Sequence, residues 1–400
     1  MKRLLQISTV PQTLGLFISP LAHHFRELGW QVDAMSAGIH DNAMCREAFD
    51  NLYEARWSRN PADPKNLLAG ARCVRALVKK NNYDIVHMHT PVASFVTRYA
   101  LRQMRAQGVA PALVYTAHGF HFHPNGNPLS NSVFLGLEKL AGHWTDYLVV
   151  MNREDHKAAI NYGIMAEERV RYMPGIGVDT QFYNPRRVRA ERSTAIRDEL
   201  GIEHKAPIFL MIAEFKAGKR HRDMLRAMAK LNRPDVQLIC AGDGMLFEKT
   251  RALARELGIA AQVHFVGQRQ DIAELIGASF ITVLPSEREG LPRCILESLS
   301  MGVPVIGADI RGVRELLSEQ CGLLFDVGDT TALAGQMRWC LDNPQAVRAM
   351  GKSARARMVA QFDARKILAM HEALYAQALG QERQKRAGQQ PFPLQEQRSW

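Results

Sequence analysis

The chain has 400 residues, a formal net charge of +11, 46% hydrophobic and 23% charged residues. That length exceeds what one hydrophobic core covers and predicts two domains of an ordinary globular protein. The positive balance points to nucleic acid, an anionic membrane surface or phosphorylated substrates, set against the plainer reading of a charged solvated surface. Without zinc-finger spacing or an RNP-like aromatic motif, nucleic acid is the weakest of these and none is expected. Six scattered cysteines without a CxxC pair argue against a disulfide framework or structural zinc and fit a reducing compartment. No run reaches the roughly 18 apolar residues of a membrane span, so a cytoplasmic protein is expected, with membrane contact only at a surface.

The opening "MKRLLQISTV" is interrupted by Gln6, Ser8 and Thr9, which makes it a poor signal peptide and a reasonable first strand. Strand-like runs at 3–8, 32–37, 84–89, 112–118 and 146–151 alternate with helical stretches such as 20–29 and 66–82. This alternation predicts a parallel sheet covered by helices. The segment 8–15, "STVPQTLG", reads as a loop. In "DIVHMHTP", His87 and His89 share one strand face by their period of two. "YTAHGFHFHPNG" adds His118, His121 and His123. No carboxylate is interleaved and no zinc spacing fits, so no metal is expected. His87, His121 and His123 are expected to be satisfied within the fold. His118 follows a strand and precedes Gly119, which should aim it into a cleft. Arg98, Arg102 and Arg105 fall on one helical face, suited either to anionic lipid or to ordinary packing on the sheet.

From 184 to 205 the pattern breaks into an arginine-rich linker leading into a short helix. Strand–helix alternation then resumes, with strand runs at 208–215, 236–243, 263–268, 280–286, 303–309 and 322–327. Lys216, Lys219 and Arg220 cluster after the first of these, where a departing diphosphate needs positive charge; a basic solvated turn is the alternative. The strand "FITVLPS" leads into "EREG", and Pro292 opens a helix that Gly302 ends. Gly290 and Leu291 therefore stand at a helix N-terminus, whose amides and dipole suit an anion. Glu289 and Glu297 are eight residues apart, about 12 Å at the helical rise. That spread fits a nucleotide sugar with its diphosphate on the amides and a hydroxylated ring near each carboxylate. The expected organisation is a domain over 1–183, a linker over 184–205, a second domain with terminal helices over 206–380, and a disordered tail over 381–400.

The stretch "SEREGLPRCILESLSMGVPVIGADIRGVRELL" resembles the signature of the retaining glycosyltransferases of family four, which have the GT-B architecture. The expected fold is α/β: two Rossmann-like, doubly wound domains facing across a cleft, with a helical C-terminal segment. Residues 84–124 and 138–159 resemble the acceptor-binding domain of transferases that build exopolysaccharide, capsule and O-antigen repeats. The resemblance implies that Glu297 holds the ribose, Glu289 contacts the donor sugar, and the Gly290 and Leu291 amides meet the phosphates. It carries Lys219 over as a phosphate contact, suggests Arg220 as a helper, and places His118 at the reaction centre. The chain departs from the family pattern at three places. Glu214 stands where an Arg is usual, Arg311 and Gly312 replace two glycines, and the N-terminal loop has a single Gly15.

The implied reaction moves a hexose or N-acetylhexosamine, from a UDP-sugar rather than a GDP-sugar, with retention. No D-x-D occurs, so neither a divalent metal nor another cofactor is expected. The sequence offers no convincing nucleophile, and family inference favours same-face attack. The implied acceptor is a saccharide on polyprenyl diphosphate at the cytoplasmic membrane face, which would make the protein peripheral there. Two alternatives stand: a UDP-sugar 2-epimerase, and a non-catalytic nucleotide-sugar-binding subunit. An oxidoreductase fails because no strand is followed by G-x-G-x-x-G.

Overall fold

The computed structural model describes residues 1–61, 63–122, 126–188, 190–317 and 320–388. The chain divides into two compact units. The first comprises Met1–Val150, Asp155–Met173 and the chain from Leu368; the second comprises Met151–Glu154 and Pro174–Ile367.

The first unit is built on seven parallel strands: β1 (Arg3–Ile7), β2 (Gln31–Ser36), β3 (Leu52–Glu54), β4 (Ile85–His89), β5 (Ala112–Ala117), β6 (Tyr147–Val150) and β7 (Val170–Tyr172). Their order is β3-β2-β1-β4-β5-β6-β7. Both faces are covered, which is why β4, β5 and β6 are buried along their whole length. One face packs Leu5, Val86, Leu113 and Leu148 against α1 (Ala71–Asn81) and α2 (Pro91–Ala106). The other packs Leu4, Ile85, Val114 and Val149 against Phe25 and against Leu374, Tyr375 and Ala378 of the C-terminal helix, Ala364–Gly388. A further helix, α3 (Pro128–Gly142), is N-capped by Asn127, whose side chain accepts from the amides of Leu129 and Ser130.

The second unit has six parallel strands: β8 (Ile208–Ile212), β9 (Gln237–Ala241), β10 (Val263–Gly267), β11 (Ile281–Leu284), β12 (Val305–Ala308) and β13 (Gly322–Phe325). The order β10-β9-β8-β11-β12-β13 is again that of a doubly wound Rossmann sheet. In each unit the order reverses between the first strand and the fourth. Ligands bind beyond the carboxyl ends of strands at such a switch point.

The segment 8–15, read as a loop, is helical from Pro11 onward, and the helical course continues to Glu27. Proline suits that first position because its missing N–H would have no partner there. The stretch 184–205 contains the helix Ala190–Leu200. The final helix runs to Gly388, and residues 389–400 lie outside those described. Among the described residues, no helix is long and apolar enough to cross a membrane.

Candidate active site

In the second unit, the expected donor residues stand on the two loops that leave β8 and β11. After β8 the chain passes Lys216, makes one tight turn over Ala217–Lys219, and enters α4 (His221–Leu231). Arg220 joins turn to helix with φ of 55°, a left-handed conformation uncommon for its residue type. Its guanidinium is held by the buried Asp223 and lies 3.5 Å from Glu287. The amide of Glu287 donates to the Gly218 carbonyl at 3.0 Å, which ties the two loops together. Lys219 Nζ donates to Glu289 Oε1 across them. A cation and a carboxylate, 70 residues apart in sequence, thus meet beside the turn that precedes the next helix. Glu214, at the position where the family has Arg, pairs instead with exposed Lys216 at 2.7 Å.

That next helix, α5 (Arg293–Ser300), has Pro292 as its N-cap and no side chain capping it. Pro292 thus stands just before the first helical turn, one position earlier than its sequence reading. Among the described residues, the amides of Gly290 and Leu291 donate no backbone hydrogen bond. The turn is fixed from behind by α6 (Arg311–Leu317). A β-carbon on Gly312 would stand 1.8 Å from the Gly290 carbonyl oxygen, so only glycine allows this approach.

Glu297 is 6% exposed, although it sits on a helix carrying polar residues. Its Oε1 accepts from Arg293 Nε at 2.7 Å, and it also hydrogen-bonds Tyr183. Burial raises its carboxyl above the usual range, with Arg293 and Tyr183 opposing that rise. Two buried polar atoms at these loops, Ser286 Oγ and His221 Nε2, lack a protein partner among the described residues. Orphaned polar atoms are rare in folded proteins and call for an explanation. The His221 ring stacks on Phe215 at 4.0 Å, and burial, with Lys219 adding to it, pushes its pKa down to about 4.

Sequence reasoning missed Tyr183 and Arg293, because each acts through a partner that only the fold supplies. It also missed Gly242, which follows β9 with φ of 143°; a β-carbon there would lie 2.1 Å from the Ala213 carbonyl. The "GDG" at 242–244 was the available signal.

In the first unit, the switch point lies between β1 and β4. Thr90, just beyond β4, has φ of 68°, a strained value for a β-branched residue. Its hydroxyl accepts from the Thr9 amide at 2.9 Å and lies 2.7 Å from the Thr9 hydroxyl, which joins the two strand ends. The register sets Gln6 opposite His87 and sets His89 opposite Thr116. His87 bonds the Tyr375 hydroxyl at 2.6 Å and Thr116 Oγ1 at 2.7 Å, satisfied within the fold. Gln6 donates its amide to Tyr375 at 3.4 Å, which leaves its carbonyl to accept from His89 Nε2 at 2.8 Å. The His89 Nδ1 lone pair then accepts from His118 Nε2 at 3.1 Å. This network assigns the His118 proton to Nε2 and presents Nδ1 as an acceptor. Burial holds His87 and His89 well below the usual histidine range and pushes part-buried His118 down to about 4. All three are neutral at pH 7.

His121 lies 5.3 Å from the Phe134 ring, and His123 lies outside the described residues. Among the described residues, no group of three or more His, Cys, Asp or Glu is arranged to hold a metal ion. In the arginine stripe of α2, Arg98 and Arg105 are engaged by other elements, and Arg102 folds back on its own helix. Arg98 is buried against Glu138 at 3.1 Å and over the Tyr115 ring. Arg102 lies over Tyr99 at 3.7 Å, and Arg105 pairs with Asp146 at 2.7 Å.

Residues 16–182 match the family described as Glycosyltransferase Family 4, and residues 192–357 match Glycosyl transferases group 1. The Bacillus subtilis (strain 168) protein EpsD, named as a glycosyltransferase, is 32% identical over 371 residues, covering 92% of this chain and 94% of its own. The chain belongs to glycosyltransferase family four. Two further proteins are similar over most of the chain. The N-acetyl-alpha-D-glucosaminyl L-malate synthase of Bacillus anthracis is 27% identical over 378 residues, covering 91% of this chain and 94% of its own. The Escherichia coli UDP-Gal:alpha-D-GlcNAc-diphosphoundecaprenol alpha-1,3-galactosyltransferase is 27% identical over 293 residues, covering 72% and 73%. The crystal structure of Anabaena Alr3699/HepE in complex with UDP matches with a TM-score of 0.77 at 20% identity, covering 94% of this chain and 100% of that one. The fold is GT-B.

Proposed function

We propose that this family-four glycosyltransferase moves a hexose or N-acetylhexosamine from a UDP-sugar to a lipid-linked saccharide, with retention and without a metal. The observation that carries the donor assignment is the meeting of Lys219 with Glu289 beside the uncapped start of α5, with buried Glu297 about one turn into that helix. Glu297 takes the ribose, the Gly290 and Leu291 amides and Lys219 take the diphosphate, and Glu289 takes the donor sugar. Arg220, held in place by Asp223 and Glu287, is positioned at the same loop to assist. His118 Nδ1 accepts from a sugar hydroxyl.

In the same-face route, the bond from the anomeric carbon to the phosphate oxygen breaks and UDP leaves. The acceptor oxygen bonds that carbon on the same face, and its proton passes to the departing phosphate. Lys219 and the helix-start amides stabilise the charge that develops there. The name of the E. coli relative, which specifies a diphosphoundecaprenol-linked sugar, supports a lipid-linked acceptor. The B. anthracis relative's name supports a small hydroxy acid instead.

The test incubates purified protein with a panel of UDP- and GDP-sugars, offering either a lipid extract bearing polyprenyl-linked saccharides or L-malate, and reads products by mass spectrometry. A lipid product heavier by one sugar with a UDP donor is expected. A glycosylated malate, an epimerised donor without transfer, or nucleotide binding without turnover would each replace the proposal with a different one.

A further inference from the structure

Helix α3 carries a row of apolar side chains that nothing in its own unit covers. Leu129, Val133, Leu137 and Leu140 recur at the spacing of one helical face and are all exposed, Leu129 at 76% and Val133 at 53%. The segment before α1 adds exposed Leu67 and Leu68. Between α3 and this segment lies a cavity of about 160 Å³, lined by Pro61, Leu67, Val92, Phe95, Phe134 and Leu137 among others. Its charged members, Arg98 and Glu138, neutralise each other. That volume is far below the roughly 300–1,000 Å³ of sites for drug-sized ligands. It is close to the roughly 150 Å³ of a cavity that takes a small hydrocarbon.

The charge around this face is predominantly positive. Over 56–72, Arg56, Arg59, Lys65 and Arg72 are exposed, and Lys139 is exposed on α3. The two stretches carry two acids: Glu138 is paired with Arg98, and part-buried Asp63, which accepts from Ser58 and from the Lys65 amide, leaves the cations in excess. Two copies meeting here would bring cations together and repel. The exposed row is aliphatic, without the Trp, Tyr or Arg anchors that concentrate energy in protein interfaces. An aliphatic face rimmed by cations matches the boundary of an anionic bilayer.

We propose that α3 and the segment 56–72 form a docking face for an anionic lipid bilayer, with the cavity between them taking one hydrocarbon chain. This deepens the reading of a lipid-borne acceptor and rests on it for the biological role, although the binding itself is tested separately. It also relocates membrane contact from α2, whose Arg98 and Arg105 are paired with Glu138 and Asp146, to its neighbour.

The experiment sediments the full chain with vesicles of phosphatidylcholine alone or mixed with phosphatidylglycerol. Wild type should bind the anionic vesicles, more weakly as salt rises, and bind the neutral ones poorly. Val133→Asp with Leu137→Asp should weaken anionic-vesicle binding by about tenfold or more. Lys65→Glu with Lys139→Glu should weaken it less, and Leu28→Asp, at an exposed leucine elsewhere in the unit, should leave it unchanged. UDP binding by each variant, measured by calorimetry, should stay at the wild-type value; loss of UDP binding by wild type would fail the donor reading and leave vesicle binding to be judged alone. The proposal is overturned if wild type ignores anionic vesicles, if the double aspartate variant binds as wild type does, or if the row drives only self-association, seen by analytical ultracentrifugation.

Discussion

Lys219 and Glu289 are a close pair, so each offsets the other's charge. Lys219→Ala is expected to lower kcat about a hundredfold, since it removes a cation from the departing phosphate; UDP release at saturating donor measures this, and an unchanged kcat would remove Lys219 from the reaction. His89 is expected to act one step back, as a positioning residue. His89→Leu deprives the His118 N–H of its acceptor and should lower kcat about tenfold. His89→Asn places an amide oxygen near the lost Nδ1 and should restore most of the loss. Equal activities for the two variants would contradict the proton assignment. His118, Lys219, Glu289 and Glu297 are legible as candidates in the sequence because each stands in a motif that follows a strand. It did not reach Gln6 or Tyr375, because their link to His89 and His87 depends on strand register and on a helix nearly 300 residues away. It likewise could not find Tyr183, 114 residues from Glu297.

At the scale of elements, α6 and the turn before α5 are locked by the absence of a side chain. Gly312→Ala forces a carbon onto the Gly290 carbonyl, so the turn must shift. A cost of about 1–3 kcal/mol is expected, visible as a lower melting temperature together with weakened UDP binding; retention of both would mean the turn tolerates displacement. All six strands of the second unit are legible, since buried parallel strands read as continuous apolar runs. In the first unit β3 and β7 are not, because three residues carry no period to detect. The α2 arginines show the opposite limit. Their spacing correctly marks a shared face, but which way that face turns is set by Glu138, Tyr115 and Asp146 on other elements.

Across the whole molecule, neutral buried histidines make stability depend on pH. His118 and His221 titrate near 4 when folded and near the ordinary value of about 6.5 when unfolded. Their contribution is therefore complete above about pH 6.5 and is lost as pH falls toward 4, because the unfolded chain takes up the protons first. The urea midpoint should drop between about pH 7.5 and pH 5, and less in His118→Asn than in wild type. The central claim is that a nucleotide sugar lies along the stretch from Glu289 to Glu297. Calorimetric titration of UDP into wild type and into Glu297→Ala tests it most directly, with cooperative melting of both proteins as the check on folding. The account predicts saturable binding to wild type and an affinity about tenfold or more weaker in the variant, as expected for losing hydrogen bonds to a charged acceptor. Equal affinities, or no UDP binding by wild type, would contradict it.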